Sequence, residues 1–512
     1  MPAATSPATV RPAPALPGRR RAPPWGRLLP LLGFLLYGLF LAFHVGAYAG
    51  GSDSSGYLNN ARLLAAGRWT AAERLVPGLA PETLPPYTYV PLGFIPNPGH
   101  VTMTPTYPMG LSLLFAGAAA LVGWTAAPAL VLVAHSLAGL LLVYGLGRRT
   151  GLETGWAWLA ALLLACSPVY LMMSLQAMSD VPATVWVTAA VLAAWRSRER
   201  TSLAPVAGVA FSLAVLIRPT DLLAAAPVAL ALGWSPRRWS LFLLGCLPGA
   251  AFHGAFNLAA YGRILTTGYG HVNPEFAWAN VLPALDVYVH WLPVLLTPLG
   301  LLALGLPGLG RGAPRPTALL TTWALVFPIF YLPYSHTHDD WGNLRFLLPA
   351  FPALLVGALL VARRWAGRWT AARSWWLAPA ALAILLHGAA WSRHLHAYTV
   401  GRSERDYPLA TAWLQGHLPP DAVVAAMQGS GALLYYTKFT FIRWDMMSPA
   451  DFQRIAAACA AARRPVYAVL FPFEVEDPDW DAFGRHLPGH WTQVGTVRQV
   501  RIWRLDAPAA AP

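Results

Sequence analysis

Leu29-Pro30-Leu31-Leu32-Gly33-Phe34-Leu35-Leu36-Tyr37-Gly38-Leu39-Phe40-Leu41-Ala42-Phe43-His44 is an apolar run, and shortly after it comes Ser52-Asp53-Ser54-Ser55-Gly56-Tyr57-Leu58-Asn59-Asn60. The run suits a membrane helix, which puts Asp53 where lipid meets water. Burying that carboxylate in hydrocarbon would cost at least about 2.5–3.5 kcal/mol, so it must stay near solvent or find a partner. Asp53 is therefore a candidate functional residue. It also fits a helix N-cap that accepts from the amides of the following turn, and the two uses are compatible. Ala47-Tyr48-Ala49 has the small-x-small form of a cleavage site. The apolar run is longer than a signal-peptide core, so the expectation is an uncleaved anchor.

The same apolar character recurs along the chain. Of 512 residues, 56% are hydrophobic and 11% charged, and the mean hydropathy is +0.46. This composition predicts an α-helical polytopic membrane protein. Eleven spans are expected, at 30–48, 126–147, 155–173, 182–195, 203–217, 220–234, 239–257, 291–309, 317–333, 346–362 and 374–392. The net charge of +14 could suggest nucleic acid, but the chain has a single lysine, Lys438, and its arginines cluster in short loops between apolar segments. That is the positive-inside pattern and not a nucleic-acid footprint.

Arg19–Arg21, Arg148-Arg149, Arg196 with Arg198 and Arg200, Arg237-Arg238, Arg311 with Arg315, and Arg363-Arg364 with Arg368 then share the cytoplasmic side. Asp53, Asp180, the Arg218–Asp221 turn, loop 258–290, stretch 335–345 and everything after 393 fall outside. The predicted organisation is a disordered cytoplasmic leader over 1–28, a transmembrane domain over 29–392 and an extracytoplasmic α/β domain over 393–512. The outer loop 49–125 carries its own apolar stretch, Tyr107–Val122, read as an interfacial helix. In the last domain helices are expected at 407–416, 449–463 and 479–486, with strands near 422–427, 432–437, 466–471 and 491–505.

Cys166, Cys246 and Cys459 are scattered and support neither a disulfide framework nor a Cys-based metal site. Walker, Rossmann, Gly-x-Ser-x-Gly and His-Glu-x-x-His patterns are absent, as is a repeat of paired transporter halves. Asp180, in Ser179-Asp180-Val181-Pro182, shares the outer face with Asp53. Two carboxylates there can divide labour, although Ser179 and Asp180 also read as a helix start. Arg218 and Asp221 flank a break between apolar segments and could form a local ion pair. Arg345, at the mouth of a later span, could fork onto a lipid phosphate or snorkel to headgroups. His336, His338, Asp339 and Asp340 match no metal-ligand spacing and read as a solvated loop. Tyr261-Gly262-Arg263 and Gly268-Tyr269-Gly270-His271 offer aromatic faces of the kind sugars stack on.

Taken in order, Asp53-x-x-Gly56-Tyr57-Leu58, Tyr107-Pro108-Met109-Gly110-Leu111, Gly147-Arg148-Arg149, Ser179-Asp180-Val181-Pro182, Arg218-Pro219-Thr220 and Arg345-Phe346-Leu347-Leu348-Pro349 resemble the membrane-embedded glycosyltransferases of the GT-C type. The likeness is to bacterial, family-39-like relatives of protein O-mannosyltransferases and lipid A aminoarabinose transferases. The resemblance implies inverting transfer of a sugar from a polyprenyl-phosphate donor to a hydroxyl of a protein, lipid or glycan, at the outer face of the inner membrane. It makes Asp53 the catalytic base, has Asp180 and Tyr57 orient acceptor or donor, and gives the carrier phosphate to Arg345 with Arg218. It leaves a divalent cation open as cofactor. The rival reading is a transporter or lipid flippase, which the near-neutral mid-membrane disfavours.

Overall fold

The computed structural model describes residues 25–270, 273–310, 314–369 and 376–508. The expected leader through Pro24, together with Arg311 and His271, lies outside these residues.

Helix α1 (Trp25–His44) is followed by α2 (Ser52–Ala65) and a small antiparallel sheet of order β1-β3-β2, formed by β1 (Ala71–Ala72), β2 (Phe94–Pro96) and β3 (Thr102–Pro105). Then come α3 (Met109–Val122), α4 (Ala127–Arg149), α5 (Thr154–Ala165), α6 (Pro168–Ser174), α7 (Asp180–Arg196), α8 (Leu203–Ile217), α9 (Ala225–Leu232) and α10 (Pro236–Tyr261). Helices α11 (Val281–Leu295), α12 (Pro314–Tyr331), α13 (Phe351–Trp369) and α14 (Leu377–His394) complete the helical body. Trp323, Tyr170, Phe327 and Phe351 are fully buried in its core. Helices α8 and α10 touch backbone to backbone: a Cβ on Gly208 would strike the Phe242 carbonyl, and one on Gly245 the Pro205 carbonyl. Small residues of this kind let apolar helices approach where no hydrophobic force separates protein from lipid.

The expectation of eleven spans is overturned. Among the described residues three helical stretches are long and apolar enough to cross a membrane: Ala127–Arg149, Pro236–Tyr261 and Trp341–Gly367. The number reaches five if each of two bent pairs counts as one span, Thr154–Ala165 with Pro168–Ser174 bent by 66° and Trp278–Leu295 with Pro298–Leu309 bent by 109°. Hydropathy alone does not reveal where an apolar run breaks. Ser167-Pro168 and Arg218-Pro219 interrupt the helices around them, and Thr297 takes a left-handed φ of 61° just before Pro298. At about 1.5 Å per residue, a helix of 12–15 residues reaches only about 18–23 Å, short of a hydrocarbon core of about 30 Å. Leu203–Ile217 and Met109–Val122 are of this shorter class. The fold is thus a mostly helical, polytopic, membrane-associated body with a mixed sheet at its C-terminal end.

That C-terminal region contains α15 (Val400–Ser403), α16 (Asp406–His417), β4 (Val423–Ala425), α17 (Ser430–Tyr436), β5 (Thr440–Ile442), α18 (Pro449–Ala461), β6 (Val466–Leu470), β7 (Gly489–Val497) and β8 (Val500–Pro508). The sheet runs β5-β4-β6-β8-β7, with its first three strands parallel and β8 and β7 antiparallel. The strand expected at 432–437 is helix α17. Its run of Ala, Leu and Tyr has no strand alternation to enforce, and Ala432 and Leu433 pack inward beside Val424 and Phe441. Strand β5 falls where no strand is expected.

The two ends of the helical body carry different charged groups. Helix α7 carries Asp180 in its first turn and Arg196 in its last. At the arginine end Arg149 meets Glu199 at 2.5 Å, Arg363 pairs with Glu153, and Arg198 donates to the Ala231 carbonyl at 2.6 Å. Asp53, Asp180, Arg218 and Arg345 meet at the opposite end.

Candidate active site

Helix α2 starts behind Gly51, which occupies the N-cap and offers no side chain, so the N-cap role considered for Asp53 is not taken. Asp53 sits in the first turn and accepts from Arg345 Nη1 at 3.2 Å through Oδ2. Arg345 comes from the 3-10 segment Trp341–Ala350, and its Nη1 also lies 3.9 Å from Asp180 Oδ2. The other oxygen of Asp180 is bound by Arg218 Nη1. Arg218 ends α8 with extended backbone, φ −142° and ψ 113°, which swings its side chain out of the helix. Both guanidinium groups lie over the Phe346 ring, at 5.2 and 5.3 Å from its centroid. Asp53, Arg345, Asp180 and Arg218 thus form one chain of alternating charge that sums to zero.

Exposure divides the four. The Asp180 side chain is 1% exposed, Arg218 14%, Arg345 21% and Asp53 27%. Asp180 is the most buried member and Asp53 the one most open to solvent. The helix-start reading of Asp180 holds only for its position, since its carboxylate turns to the arginines. The local pair expected between Arg218 and Asp221 is not formed. Asp221 is buried, and neither of its carboxylate oxygens has a hydrogen-bond partner among the described residues.

Tyr57 is buried and donates to Ser179 Oγ at 3.0 Å, tying α2 to the start of α7. The Tyr107 ring packs on Tyr57 with centroids 5.0 Å apart, and its hydroxyl is 2.7 Å from Ser52 Oγ. Gly56 makes that seat: a Cβ there would collide with the Tyr107 ring. Tyr269 meets Tyr107 edge-on at 6.1 Å.

The C-terminal region grips the same helix. Ser54 Oγ donates to Glu404 Oε2 at 2.9 Å, and Asn59 Nδ2 to the Gly431 carbonyl at 2.9 Å. Arg62 donates to the Tyr435 carbonyl at 2.6 Å, with its guanidinium 3.5 Å from that ring's centroid. Burial pushes the Glu404 carboxyl up to about 7, opposed by the bonds from Ser54 and Gly51. Glu404, Ser54 and Asn59 do not stand out in the sequence. Ser403-Glu404-Arg405-Asp406 reads as a solvated charge run, and only the fold shows one member turned inward.

The four residues His336, His338, Asp339 and Asp340 stay apart from this centre. His336 Nδ1 meets Asp339 Oδ2 at 2.8 Å on a surface where both side chains are about half exposed. Among the described residues no group of three or more His, Cys, Asp or Glu could hold a metal ion. Both oxygens of Asp180 and Oδ2 of Asp53 face guanidinium groups, which supply opposing charge there.

No protein-family model matches the chain, and no curated protein matches it by sequence. Solved structures do share its fold. It is similar to ArnT from Cupriavidus metallidurans in the apo state, with TM-score 0.58 and 12% identity over 95% of this chain and 99% of that one. The same protein bound to undecaprenyl phosphate gives TM-score 0.53 and 12% identity over 94% and 99%. The mycobacterial arabinofuranosyltransferase AftD gives TM-score 0.55 and 14% identity over 94% of this chain and 40% of that one. The oligosaccharyltransferase of Archaeoglobus fulgidus in its apo form gives 0.51 and 14% over 90% and 71%. At such identities the likeness is one of fold: this chain shares the architecture of these solved structures.

Proposed function

We propose that this protein transfers a sugar from a polyprenyl-phosphate donor to an acceptor hydroxyl at the outer face of the inner membrane, with inversion. The N-terminus would be cytoplasmic and the C-terminal sheet outside. The observation that carries the reading is the alternating cluster Asp53–Arg345–Asp180–Arg218 at one end of the helical body. Its setting is a fold that ArnT, crystallised with undecaprenyl phosphate, also has.

Each residue then has a chemical task. Asp53, the most exposed of the four, accepts the proton of the attacking hydroxyl, a contribution typically worth about 10²–10⁴ in rate. The acceptor oxygen bonds to the anomeric carbon as that carbon's bond to the phosphate oxygen breaks. The departing phosphate keeps the electron pair, and a fixed guanidinium in a water-poor pocket stabilises it. Arg345 supplies that guanidinium by exchanging the Asp53 carboxylate for the phosphate. Asp180 holds Arg218 and orients Arg345 from below, and Tyr57 fixes the helix of Asp53 against the start of α7. The acceptor is a protein, a lipid or a glycan.

The test is to incubate the purified wild-type protein in native membrane extract with radiolabelled polyprenyl-phosphate sugars and follow the label. Label passing from the lipid to a product of opposite anomeric configuration supports the proposal. Retention of label on every donor, in membranes shown to contain acceptor, would sink it and favour a lipid-moving role.

A further inference from the structure

The Asp53 carboxylate has two unlike sides. Arg345 approaches one, at 3.2 Å, with Asp180, Arg218 and Phe346 behind it. The other carries tyrosines. Tyr107 reaches toward Asp53 with its hydroxyl and rests on Tyr57, and Tyr269 stands edge-on to Tyr107. Tyr57 is 3% exposed, whereas Tyr269 is 45% exposed. An exposed tyrosine near a membrane face is commonly an interfacial anchor. Tyr269 differs in its neighbours: its ring meets Tyr107 edge-on at 6.1 Å, and Tyr107 in turn rests on Tyr57, so this half-exposed ring adjoins the candidate reaction centre.

The loop that presents it is pinned from two directions. Tyr261 donates to the Pro105 carbonyl at 2.7 Å, and Gly268 lies so close to the backbone of Thr106 that a Cβ would strike it. Gly270 then turns the chain with a left-handed φ of 64°. The backbone that leads into the ring is therefore held before any ligand arrives, which lowers the cost of ordering it on binding.

Inverting transfer requires attacking oxygen, anomeric carbon and leaving oxygen in line, with the base beside the attacking oxygen. If the phosphate takes the arginine side, the acceptor must enter from the tyrosine side. We infer that Tyr269, backed by Tyr107, is the acceptor subsite and that the acceptor is itself a sugar ring, so that the product is a glycan or glycolipid. This rests on the transferase reading above. A sugar ring presents one face of C–H groups of slight positive charge, which suits the negative face of an aromatic ring, while its hydroxyls face Asp53 and the phenols. A Ser or Thr side chain has no such face to offer.

Binding can be read without turnover. Saturation-transfer NMR would be run on the purified full-length protein in detergent, with methyl α-mannopyranoside, methyl β-galactopyranoside, methyl α-arabinofuranoside and a capped Ala-Thr-Ala peptide as probes. At least one glycoside should receive saturation through its ring C–H protons. Tyr269→Ala should weaken that binding about tenfold, the loss of one aromatic contact, and Tyr269→Phe should retain it. In the transfer assay Tyr269→Ala should raise the KM for the acceptor and leave the KM for the donor unchanged. Equal glycoside binding by wild type and Tyr269→Ala overturns the inference, as does saturation of the peptide alone or a change confined to the donor. Failure of the transferase reading looks different: glycoside binds, yet no label leaves any lipid.

Discussion

Replacing Asp180 by Asn should be among the most damaging single changes this protein can suffer. The side chain is 1% exposed and lies against two guanidinium groups, Arg218 and Arg345. With Asp53 the cluster is neutral, and removing one carboxylate leaves a net positive charge in a nearly dry pocket. At an effective dielectric near 20, charges about 4 Å apart interact by about 4 kcal/mol. Breaking a buried pair typically costs about 3–5 kcal/mol, because the remaining charge stays buried without its partner. Unfolding in detergent can be followed with a thiol-reactive dye, since Cys459 is buried and Cys166 and Cys246 are partly so. For 512 residues the unfolding entropy is about 1.1 kcal/mol/K, so the expected fall in apparent Tm is about 3–5 °C. The decisive control is the double variant Asp180→Asn/Arg218→Gln, which restores neutrality. It should be more stable than the sum of the two single losses by at least about 1 kcal/mol. Strict additivity would refute the claim that Asp180 acts as a charge anchor for the arginines.

Three further outcomes follow from the same geometry. Asn59→Ala leaves the Gly431 carbonyl without its donor and loosens the C-terminal region from α2. Trypsin should then cut at the exposed Arg402 and Arg405 about tenfold faster, as expected for the loss of a buried hydrogen bond. Glu404 has its carboxyl raised by burial from 4.5 to about 7. The folded protein thus keeps a proton that the unfolded chain releases, and this group's contribution to stability falls as pH rises from about 4.5 to about 7, then stays flat. Glu404→Gln should remove that share of the slope, at most about 3 kcal/mol at 1.36 kcal/mol per pH unit, in unfolding curves recorded across that window. Gly56→Ala drives a methyl group into the Tyr107 ring. If Tyr107 helps seat the reacting groups, kcat should fall about 10²-fold with little change in the donor KM.

Much of the site was legible because its charges stand at the ends of apolar runs, where an unpartnered charge in hydrocarbon would be costly. Asp53, Asp180, Arg218 and Arg345 all stand out in that way, Tyr57 follows Asp53 in the same stretch, and the structure brings the five together. Their pairing was not legible. Arg218 has Asp221 three residues away in sequence, yet it reaches back 38 positions to Asp180, because the 3-10 turn after Pro219 points Asp221 elsewhere. The span number failed for a related reason: hydropathy sums over breaks such as Ser167-Pro168 and Thr297-Pro298, which shorten helices without making them less apolar. Residues 432–437 read as a strand because so short an aromatic and aliphatic run carries no decisive period, and they fall largely within the helix Ser430–Tyr436. Glu404 was hidden by ordinary charged neighbours, since its partner Ser54 lies 350 positions away.

The most direct test of the central claim compares wild type with Asp53→Asn in one assay, scoring radiolabel transferred from polyprenyl-phosphate sugar in membranes and, separately, retention of the donor by the purified protein. The account predicts that the variant still holds donor while its transfer falls by about 10² or more. Transfer by Asp53→Asn at the wild-type rate would remove Asp53 from the chemistry and contradict the mechanism built on it.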